Sequence, residues 1–226
     1  MRIGIIVAMD KELELLKPML ENMRVSESNG ISFYCGTIGV HRIAAMKCGI
    51  GKVNAAIGTV SMINTYSPEL IINTGVAGGM NQVNVMDLVV GSQVCYHDVW
   101  CGFDGKSQHG QVQGLPLFFE GASKVIDKLP KQDDIHCGLI VSGDQFIDSI
   151  EQVNAILSNF PEALAVDMES GAIAQTCYLM KTPFVSMRVI SDSPGAGHNN
   201  TRQYNDFWGE APAHTLAVVK ELLLNL

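Results

Sequence analysis

The stretch LIINTGVAGG, residues 70–79, decides the fold that this sequence predicts. Its first half, Leu70–Thr74, is a short and mostly apolar run that does not alternate between apolar and polar residues. A strand of this kind is covered on both faces, which is typical of parallel and mixed sheets packed between helices. Its second half, Gly75–Gly79, is a glycine-rich turn at the carboxyl end of the strand, where the backbone can approach a ligand closely.

Further strands and helices alternate along the chain on both sides of this stretch. Strands are predicted at Ile3–Ala8, Ser32–Ile38, Arg42–Lys47, Val85–Tyr96, Gly138–Ser142, Leu164–Asp167 and Phe184–Ile190. Helices are predicted at Lys11–Met23, Lys52–Thr65, Ala122–Lys128, Ile150–Asn159, Ser170–Met180 and Asn205–Leu224. Because no linker or repeat interrupts the alternation, we expect a single three-layer α/β/α domain over residues 1–226, with a central mixed, mostly parallel sheet flanked by helices.

The composition limits which partners the protein can have. Hydrophobic residues make up 47% of the 226 residues, enough for a sizeable core, and the formal net charge is -8. An acidic chain without a basic cluster is a poor match for nucleic acid. The apolar runs are too short to cross a membrane, and Asp10 follows the first strand too soon for a signal peptide. We therefore expect a cytoplasmic protein that binds neither nucleic acid nor membrane.

The cysteines and histidines show no pattern of metal ligands. The six cysteines form no CxxC pair, and the six histidines lie in no HExxH-like spacing. In a chain of this length without a secretion signal, such cysteines are typically reduced core thiols. We therefore expect no metal site, and no cofactor is implied.

Carboxylates follow several of the predicted strands directly. Glu12, Glu169 and Asp192 each come after a different strand, and Phe146 follows a fourth. Because ligands of such sheets bind beyond the carboxyl ends of the strands, we expect these side chains to converge on one site. Each alone has a simpler explanation, since the two glutamates could be first-turn helix acids, the aspartate a turn residue and the phenylalanine a core residue. Only their joint occurrence favours a functional site.

Seven segments resemble the 5′-methylthioadenosine/S-adenosylhomocysteine nucleosidase family, within the wider purine nucleoside phosphorylase fold. In chain order they are IGIIVAMDKELELL from Ile3, CGIGKVNAA from Cys48, NTGVAGG from Asn73, DLVV and YHD between Asp87 and Asp98, VSGDQFI from Val141, VDMESGAIAQ from Val166 and RVISD from Arg188. The resemblance covers nearly the entire chain. It implies a nucleoside phosphorylase-like fold and hydrolysis of the N-glycosidic bond of these two nucleosides, with release of adenine.

The resemblance implies three catalytic carboxylates around the nucleoside. Asp192 matches the general acid that protonates N7 of the leaving adenine, and Glu12 matches the general base that activates water on the opposite face of the ribose. Glu169 matches the residue that holds the ribose hydroxyls while positive charge develops on the ring. Arg188 would orient Glu169 or the water site.

The resemblance also implies which residues bind the substrate. Phe146 would stack on adenine and the backbone of Ile147 would read its edge, while Met168 would pack against the ribose and the 5′ group. Phe207 would cover the 5′ tail. The other expected binding residues are Ala8, Met9, Ile50, Ala77, Gly78 and Ser191.

Members of this family are usually homodimers in which each pocket borrows apolar residues from the partner. Val99, Trp100 and Phe103 are the candidates for that contribution here. Ordinary packing within one chain explains these three residues equally well.

Three features depart from the family pattern. Val76 stands where a hydroxyl residue is usual, so a hydrogen bond near the water and the ribose is lost. Asp167 replaces a more usual Glu and reaches less far. The segment Pro194–Arg202, which would form the lid over the 5′ tail, is not a close match.

Two alternatives remain open beside the hydrolase. A nucleoside phosphorylase would need cationic residues or an anion nest for phosphate, and the Gly75–Gly79 loop contains neither Lys nor Arg. Arg42 is the one candidate cation, although an Arg at a strand start is more often solvated. A non-catalytic nucleoside sensor is the second alternative, and the presence of all three carboxylates argues against it. The sequence does not rank methylthioadenosine against S-adenosylhomocysteine, 5′-deoxyadenosine or a futalosine-type nucleoside.

Overall fold

A ten-stranded sheet runs through the chain in the computed structural model, which describes residues 1–81, 83–102, 105–195, 204, 207–208 and 212–226. The strands are β1 (Arg2–Val7), β2 (Glu21–Ser28), β3 (Ile31–Ile38), β4 (His41–Lys47), β5 (Leu70–Gly79), β6 (Leu88–Tyr96), β7 (Phe119–Glu120), β8 (Ile135–Ser142), β9 (Ala163–Asp167) and β10 (Phe184–Asp192). Their order across the sheet is β10-β6-β8-β9-β5-β1-β4-β3-β2, with β7 paired to β6.

Strand β5 also pairs with β10, so β5, β10, β6, β8 and β9 close into a ring. The long β5 makes this possible because its two ends have different neighbours. Its first residues pair with β1, whereas Gly78 and Gly79 at its end pair with β9. Between the described strands, parallel pairings (such as β1 with β4 and β5) and antiparallel pairings (such as β2 with β3) both occur.

Helices cover both faces of the sheet. They are α1 (Asp10–Leu16), α2 (Lys52–Tyr66), α3 (Ser123–Ile126), α4 (Ile150–Asn159), α5 (Ser170–Leu179) and α6 (Pro212–Asn225). Alternate residues of β1 enter the two apolar layers. Ile5 packs in one layer with Leu13 of α1, and Ile6 packs in the other with Ile173 of α5. This is the pattern expected of a strand that is buried on both faces.

The predicted class, an α/β fold with helices on both faces of a central mixed sheet, is confirmed. Helix α4 has the predicted bounds because Ser149 and Gln152 form a capping box at its start, in which the Ser149 hydroxyl accepts the Gln152 N–H at 3.3 Å. The other predicted helices and strands differ from the structure mainly at their ends.

One predicted helix was wrong in extent. The helix predicted over Lys11–Met23 ends at Leu16, where a 3₁₀ turn containing Pro18 begins, and the chain then enters β2. The sequence gives no sign of β2, because this strand is exposed along nearly its whole length and has no apolar face. For the helix predicted over Asn205–Leu224, Pro212–Asn225 is a described helix, and residues 205–206 and 209–211 lie outside the described residues.

No helix within the described ranges has both the length and the hydropathy that crossing a membrane requires.

Candidate active site

The carboxyl ends of β1, β5, β9 and β10 surround a cavity of about 110 Å³, together with the segment after β8. The described residues that line it are Ala8, Met9, Glu12, Ile50, Val76, Ala77, Gly78, Gln145, Phe146, Ile147, Val166, Asp167, Met168, Glu169, Ser191, Asp192 and Tyr204. Strand ends therefore meet here as the sequence predicts, and the three carboxylates Glu12, Glu169 and Asp192 lie in one cavity.

Backbone N–H groups from two strands hold Glu12 in place. Its Oε2 accepts the N–H of Ala8 and of Met9, both at 2.9 Å, and its Oε1 accepts the N–H of Val76 at 3.2 Å. Burial raises the pKa of Glu12 above its usual value, and the positive charge of Arg188 and the three N–H donors only partly oppose that shift. The result is a fixed carboxylate with increased basicity.

Gly75 leaves the space that the Glu12 carboxylate occupies. A Cβ atom at this position would lie 2.5 Å from Glu12 Oε1 and 2.6 Å from Arg188 Nη1. Both distances are too short for any side chain, so Gly75 is needed for close approach. The prediction of a turn over Gly75–Gly79 was wrong, because these residues continue strand β5 and pair with β10 and β9.

Asp192 has one carboxylate oxygen bonded and one left free. The Ser191 hydroxyl donates to Oδ1 at 2.7 Å, whereas Oδ2 is buried and has no hydrogen-bond partner among the described residues. Burial raises the pKa of Asp192 to about 6, and the Ser191 hydroxyl opposes part of that shift. Asp192 can therefore carry a proton close to neutral pH, with its unpartnered oxygen available to a ligand.

Glu169 is held by two distant parts of the chain. Its Oε1 accepts the N–H of Gly51 at 3.0 Å, and its Oε2 lies 3.8 Å from Arg188 Nη2. Burial raises the pKa of Glu169 to about 7, while Arg188 acts to lower it and the carboxylate of Asp167 to raise it further. Gly51 has φ +92, a conformation that favours glycine, and this directs its N–H toward the carboxylate.

Arg188 lies behind the cavity and does not line it. The side chain is fully buried, with Nε 2.7 Å from Asp167 Oδ2 and Nη2 donating to Asn73 and Ser170. Asp167 also accepts the N–H groups of Glu169 and Ser170 at the start of α5. The shorter carboxylate at position 167 therefore forms a buried ion pair with Arg188 and fixes the segment that carries Glu169.

Most of the predicted binding residues line the cavity, and the exceptions are Arg188, which lies behind it, and Phe207. Its side chain is buried in the apolar layer that contains α1 and α6. Tyr204, three residues earlier, lines the cavity instead, where its hydroxyl is 3.2 Å from the sulfur of Met9 and its ring lies 6.1 Å from that of Phe146. Sequence reasoning missed Tyr204, Gln145 and Val166, although the aromatic Tyr204 was a visible candidate.

The remaining predicted residues are absent from the cavity lining or lie outside the described residues. Trp100 is 62% exposed and Val99 is half-buried, whereas Phe103 is not among the described residues. Of the segment predicted as a lid, only Pro194 and Gly195 are described. Pro194 lies against Gly78, where a Cβ atom would come within 2.7 Å of the proline ring.

The cavity is acidic. Its described lining contains four carboxylates and no Lys, Arg or His. No group of three or more His, Cys, Asp or Glu side chains in the described ranges is arranged to hold a metal ion. Arg42 is the second residue of β4 and pairs with Arg2, at the end of the strand opposite the cavity.

Comparison with known proteins agrees with this geometry. Residues 2–224 match the Phosphorylase superfamily. The chain is 37% identical to the 5′-methylthioadenosine/S-adenosylhomocysteine nucleosidase of Staphylococcus carnosus, with 99% of this chain and 100% of the relative covered. It is 39% identical to the nucleosidase of the same name from Desulfotalea psychrophila, over 100% and 98% of the two chains.

Solved structures of nucleosidases with the same name also superpose closely on this chain. The nucleosidase from Neisseria meningitidis in complex with methylthio-immucillin-A superposes with a TM-score of 0.94 at 36% identity, covering 100% of this chain and 99% of that one. The Streptococcus pneumoniae nucleosidase with a transition-state inhibitor superposes with a TM-score of 0.93 at 32% identity, over the same shares of the two chains. From its sequence, its fold and the residues around its cavity, the chain belongs to the 5′-methylthioadenosine/S-adenosylhomocysteine nucleosidase family of the Phosphorylase superfamily.

Proposed function

We propose that this protein hydrolyses the N-glycosidic bond of 5′-methylthioadenosine and S-adenosylhomocysteine, releasing adenine and the 5′-thioribose product. The observation that carries the proposal is the convergence of Glu12, Glu169 and Asp192 on one cavity whose described lining has no cationic side chain. Cleavage of such a bond passes through an oxocarbenium-like transition state, which carboxylates stabilise and phosphate-binding cations do not.

Asp192 acts as the general acid in this proposal. Adenine leaves poorly as an anion, so its N7 must receive a proton as the bond to the ribose breaks. The raised pKa of Asp192, about 6, keeps a proton within reach near neutral pH, and its unpartnered Oδ2 is the atom that would donate it.

Glu12 and Glu169 act on the sugar. Glu12 takes a proton from the attacking water, and its raised pKa and its three N–H contacts make it a basic and well-oriented acceptor. Glu169 accepts hydrogen bonds from the ribose hydroxyls and stabilises the positive charge on the ring. Arg188 positions both carboxylates from behind the cavity.

The base and the 5′ group would contact the less polar part of the lining. The ring of Phe146 is 48% exposed and free to stack on adenine, with the backbone of Ile147 beside it. Met168 and Met9 provide adaptable apolar contacts for the ribose and the 5′ group. Tyr204 bounds the cavity on the side where a 5′ tail would leave.

Hydrolysis is favoured over phosphorolysis by the charges around the attack site. A phosphate dianion approaching C1′ would meet Glu12 and Glu169, and the buried Arg188 already pairs with Asp167. Arg42, the other cation considered, lies at the opposite end of its strand from the cavity. Water is therefore the nucleophile that these surroundings accept.

Product analysis tests this proposal directly. We expect the purified protein to release adenine and free methylthioribose from methylthioadenosine in phosphate-free buffer, at a rate that added phosphate does not increase. Chromatography of the products, with and without phosphate, measures this. The same assay with S-adenosylhomocysteine, 5′-deoxyadenosine and a futalosine-type nucleoside ranks the substrates.

Two outcomes would contradict the proposal. Formation of a ribose 1-phosphate product that depends on phosphate would identify a phosphorylase instead. Tight binding of methylthioadenosine without any release of adenine would identify a nucleoside sensor.

We also propose that two copies of the chain form a homodimer through the exposed apolar side chains of α2 and α5. Val53 and Ile57 on α2 are 70% and 59% exposed, and Tyr178 and Leu179 on α5 are 54% and 57% exposed. The two helices pack side by side, so these side chains can share one surface. Trp100 is a further exposed aromatic side chain. Monomeric proteins rarely expose a large continuous apolar patch.

Light scattering after size-exclusion chromatography tests the dimer. We expect the wild-type protein to elute with twice the 24.4 kDa chain mass and Ile57→Asp to shift toward the monomer, because a carboxylate would be buried in the interface. Val40→Asp is the control, since Val40 is 88% exposed in the turn between β3 and β4 and should not change the mass. A wild-type monomer at micromolar concentration would refute the dimer.

We further propose that the chain works as one domain in the reducing environment of the cytoplasm. The six cysteines are free thiols, of which Cys95 and Cys177 are buried in the apolar layers. Free thiols are typical of proteins in reducing compartments.

A further inference from the structure

Lys52, Asp98 and Asp144 form a charged cluster beside the cavity, and none of the three lines it. The Lys52 ammonium donates to both oxygens of Asp98, at 3.0 and 2.9 Å. The backbone N–H of Asp144 donates to Asp98 Oδ2 at 2.9 Å, and the backbone N–H of Lys52 donates to Asp144 Oδ1 at 2.8 Å. We call these three residues the Asp98 cluster.

The Asp98 cluster joins three segments that are far apart in the sequence. Lys52 is the first residue of α2, directly after Gly51, whose N–H binds Glu169. Asp144 begins the segment that carries Phe146 and Ile147 into the cavity. Asp98 follows the end of β6. The Asp98 carboxylate is thus the common acceptor between the segment facing adenine and the segment that anchors the ribose-binding glutamate.

The surroundings of the cluster favour a strong interaction. The side chains of Lys52 and Asp98 are only 25% and 18% exposed, and the Lys52 ammonium lies 5.3 Å from the centre of the Tyr96 ring. Burial acts to raise the pKa of Asp98, but the hydrogen bonds from Lys52 and from the Asp144 N–H outweigh it and hold that pKa below its usual value. Charge-assisted hydrogen bonds in such partly buried positions are stronger than those on the surface.

We propose that Asp98 is a positioning residue for the nucleosidase reaction, one that holds residues 145–147 against the start of α2 and so fixes the adenine-binding side of the cavity relative to Glu169. Asp98 does not touch the substrate, and it acts through the backbone of Asp144 and through Lys52. This inference rests on the function proposed above. It assigns a role to an ion pair that the catalytic mechanism does not require.

Kinetics of Asp98→Ala test the proposal. Without Asp98, the Lys52 ammonium and the Asp144 N–H both lose their acceptor, and the segment carrying Phe146 and Ile147 is released. We expect the KM for methylthioadenosine and the Kd for adenine each to rise about tenfold, which corresponds to the loss of about one such hydrogen bond. We expect kcat to change much less, because Glu169 keeps its contact with Arg188.

Further variants separate positioning from a general loss of stability. Asp98→Asn keeps one oxygen for the Asp144 N–H, so its KM should lie between those of the wild type and Asp98→Ala. Lys52→Met should raise KM as Asp98→Ala does. The double variant that combines Asp98→Ala and Lys52→Met should have a KM no higher than that of either single variant, because the two residues act as one unit. Partial unfolding would instead lower the apparent kcat and leave KM unchanged.

Asp10→Ala is the matched control. Lys47 donates to both oxygens of Asp10 at 2.8 and 2.9 Å, so the pair has nearly the same geometry, but these side chains are 40% and 76% exposed. Exposed ion pairs of this kind contribute little to the stability of the fold. We expect KM and kcat of this variant to match those of the wild type.

Two results would overturn the positioning role. One is an unchanged KM and adenine Kd in Asp98→Ala, and the other is a double variant whose effects are the sum of the single ones. Hydrogen–deuterium exchange of residues 143–148 provides a readout that needs no turnover, and it should be faster in Asp98→Ala than in Asp10→Ala. Suppose that exchange is faster in Asp98→Ala but the wild-type protein releases no adenine. This combination would refute the proposed function while leaving the structural role of Asp98 in place.

Discussion

Asp192→Asn is expected to lower kcat for adenine release by about 10²–10⁴-fold, the usual cost of losing a general acid. The amide has nearly the same shape, and its oxygen can still accept the Ser191 hydroxyl, but its N–H groups are too weakly acidic to transfer a proton to N7 of adenine. We expect the affinity for adenine to change far less than kcat. Stopped-time assays of adenine release, together with calorimetric titration of adenine, measure the two quantities.

Asp133→Asn is the control for this variant. Asp133 is exposed and precedes β8, away from the residues that line the cavity, so the same chemical change there should leave kcat unaltered. Adenine release by Asp192→Asn within a few-fold of the wild-type rate would rule out Asp192 as the acid.

Asp192→Asn should also be more stable than the wild type at alkaline pH. The folded-state pKa of Asp192 is raised from 3.8 to about 6, so its contribution to stability is fully present below pH 3.8 and is lost as the pH rises through 6. Above that range the wild type carries a buried carboxylate that costs of the order of 3 kcal/mol, which the amide avoids. Thermal unfolding should therefore show a higher Tm for Asp192→Asn at pH 8 and no difference near pH 4.

Glu12→Gln is expected to lower kcat by a similar factor of about 10²–10⁴, because the amide cannot take a proton from water. The structure adds a second cost. Both oxygens of Glu12 accept backbone N–H groups, so either orientation of the glutamine amide places its NH₂ group against the N–H of Val76 or those of Ala8 and Met9. Initial rates at saturating methylthioadenosine measure the loss in kcat.

Glu14→Gln provides the comparison for Glu12→Gln. Glu14 lies on the same helix, is exposed and pairs only with Lys17, so its variant should retain full activity. In the wild type, activity should fall as the pH decreases through the raised pKa of Glu12, since the base must be ionised. An active Glu12→Gln protein that kept this acid limb would show that another group is the base.

Several parts of the site could be predicted because they are local in the sequence. A mostly apolar strand followed directly by a carboxylate or a glycine turn places that group at a strand end, and parallel strands bring those ends together. This reasoning placed Glu12, Glu169 and Asp192 in one cavity. The resemblance implied that Phe207 covers the 5′ tail, and that prediction was wrong, because aromatic residues suit both a cavity wall and an apolar core and the two uses look the same in a sequence.

In the fold as well, features set by neighbouring residues could be predicted and features set by distant contacts could not. Helix α4 was predicted to the residue, and the structure shows that a capping box of neighbouring residues fixes its start. Strand β2 was missed because an exposed edge strand buries no face and so needs no apolar pattern. The closure of five strands into a ring follows from the separate pairings at the two ends of β5, which the run of residues 70–79 does not reveal.

The sequence by itself determined the α/β class, the buried strands and the carboxylates that follow them, because these depend on the period of apolar residues and on near neighbours. Only the tertiary structure decided how each carboxylate is held. The N–H groups of Val76 and Gly51 are 64 and 118 residues away from the glutamates they bind, and the buried Arg188 faces Asp167 from another strand. Such contacts determine pKa values and geometry, and they exist only after distant segments have packed together.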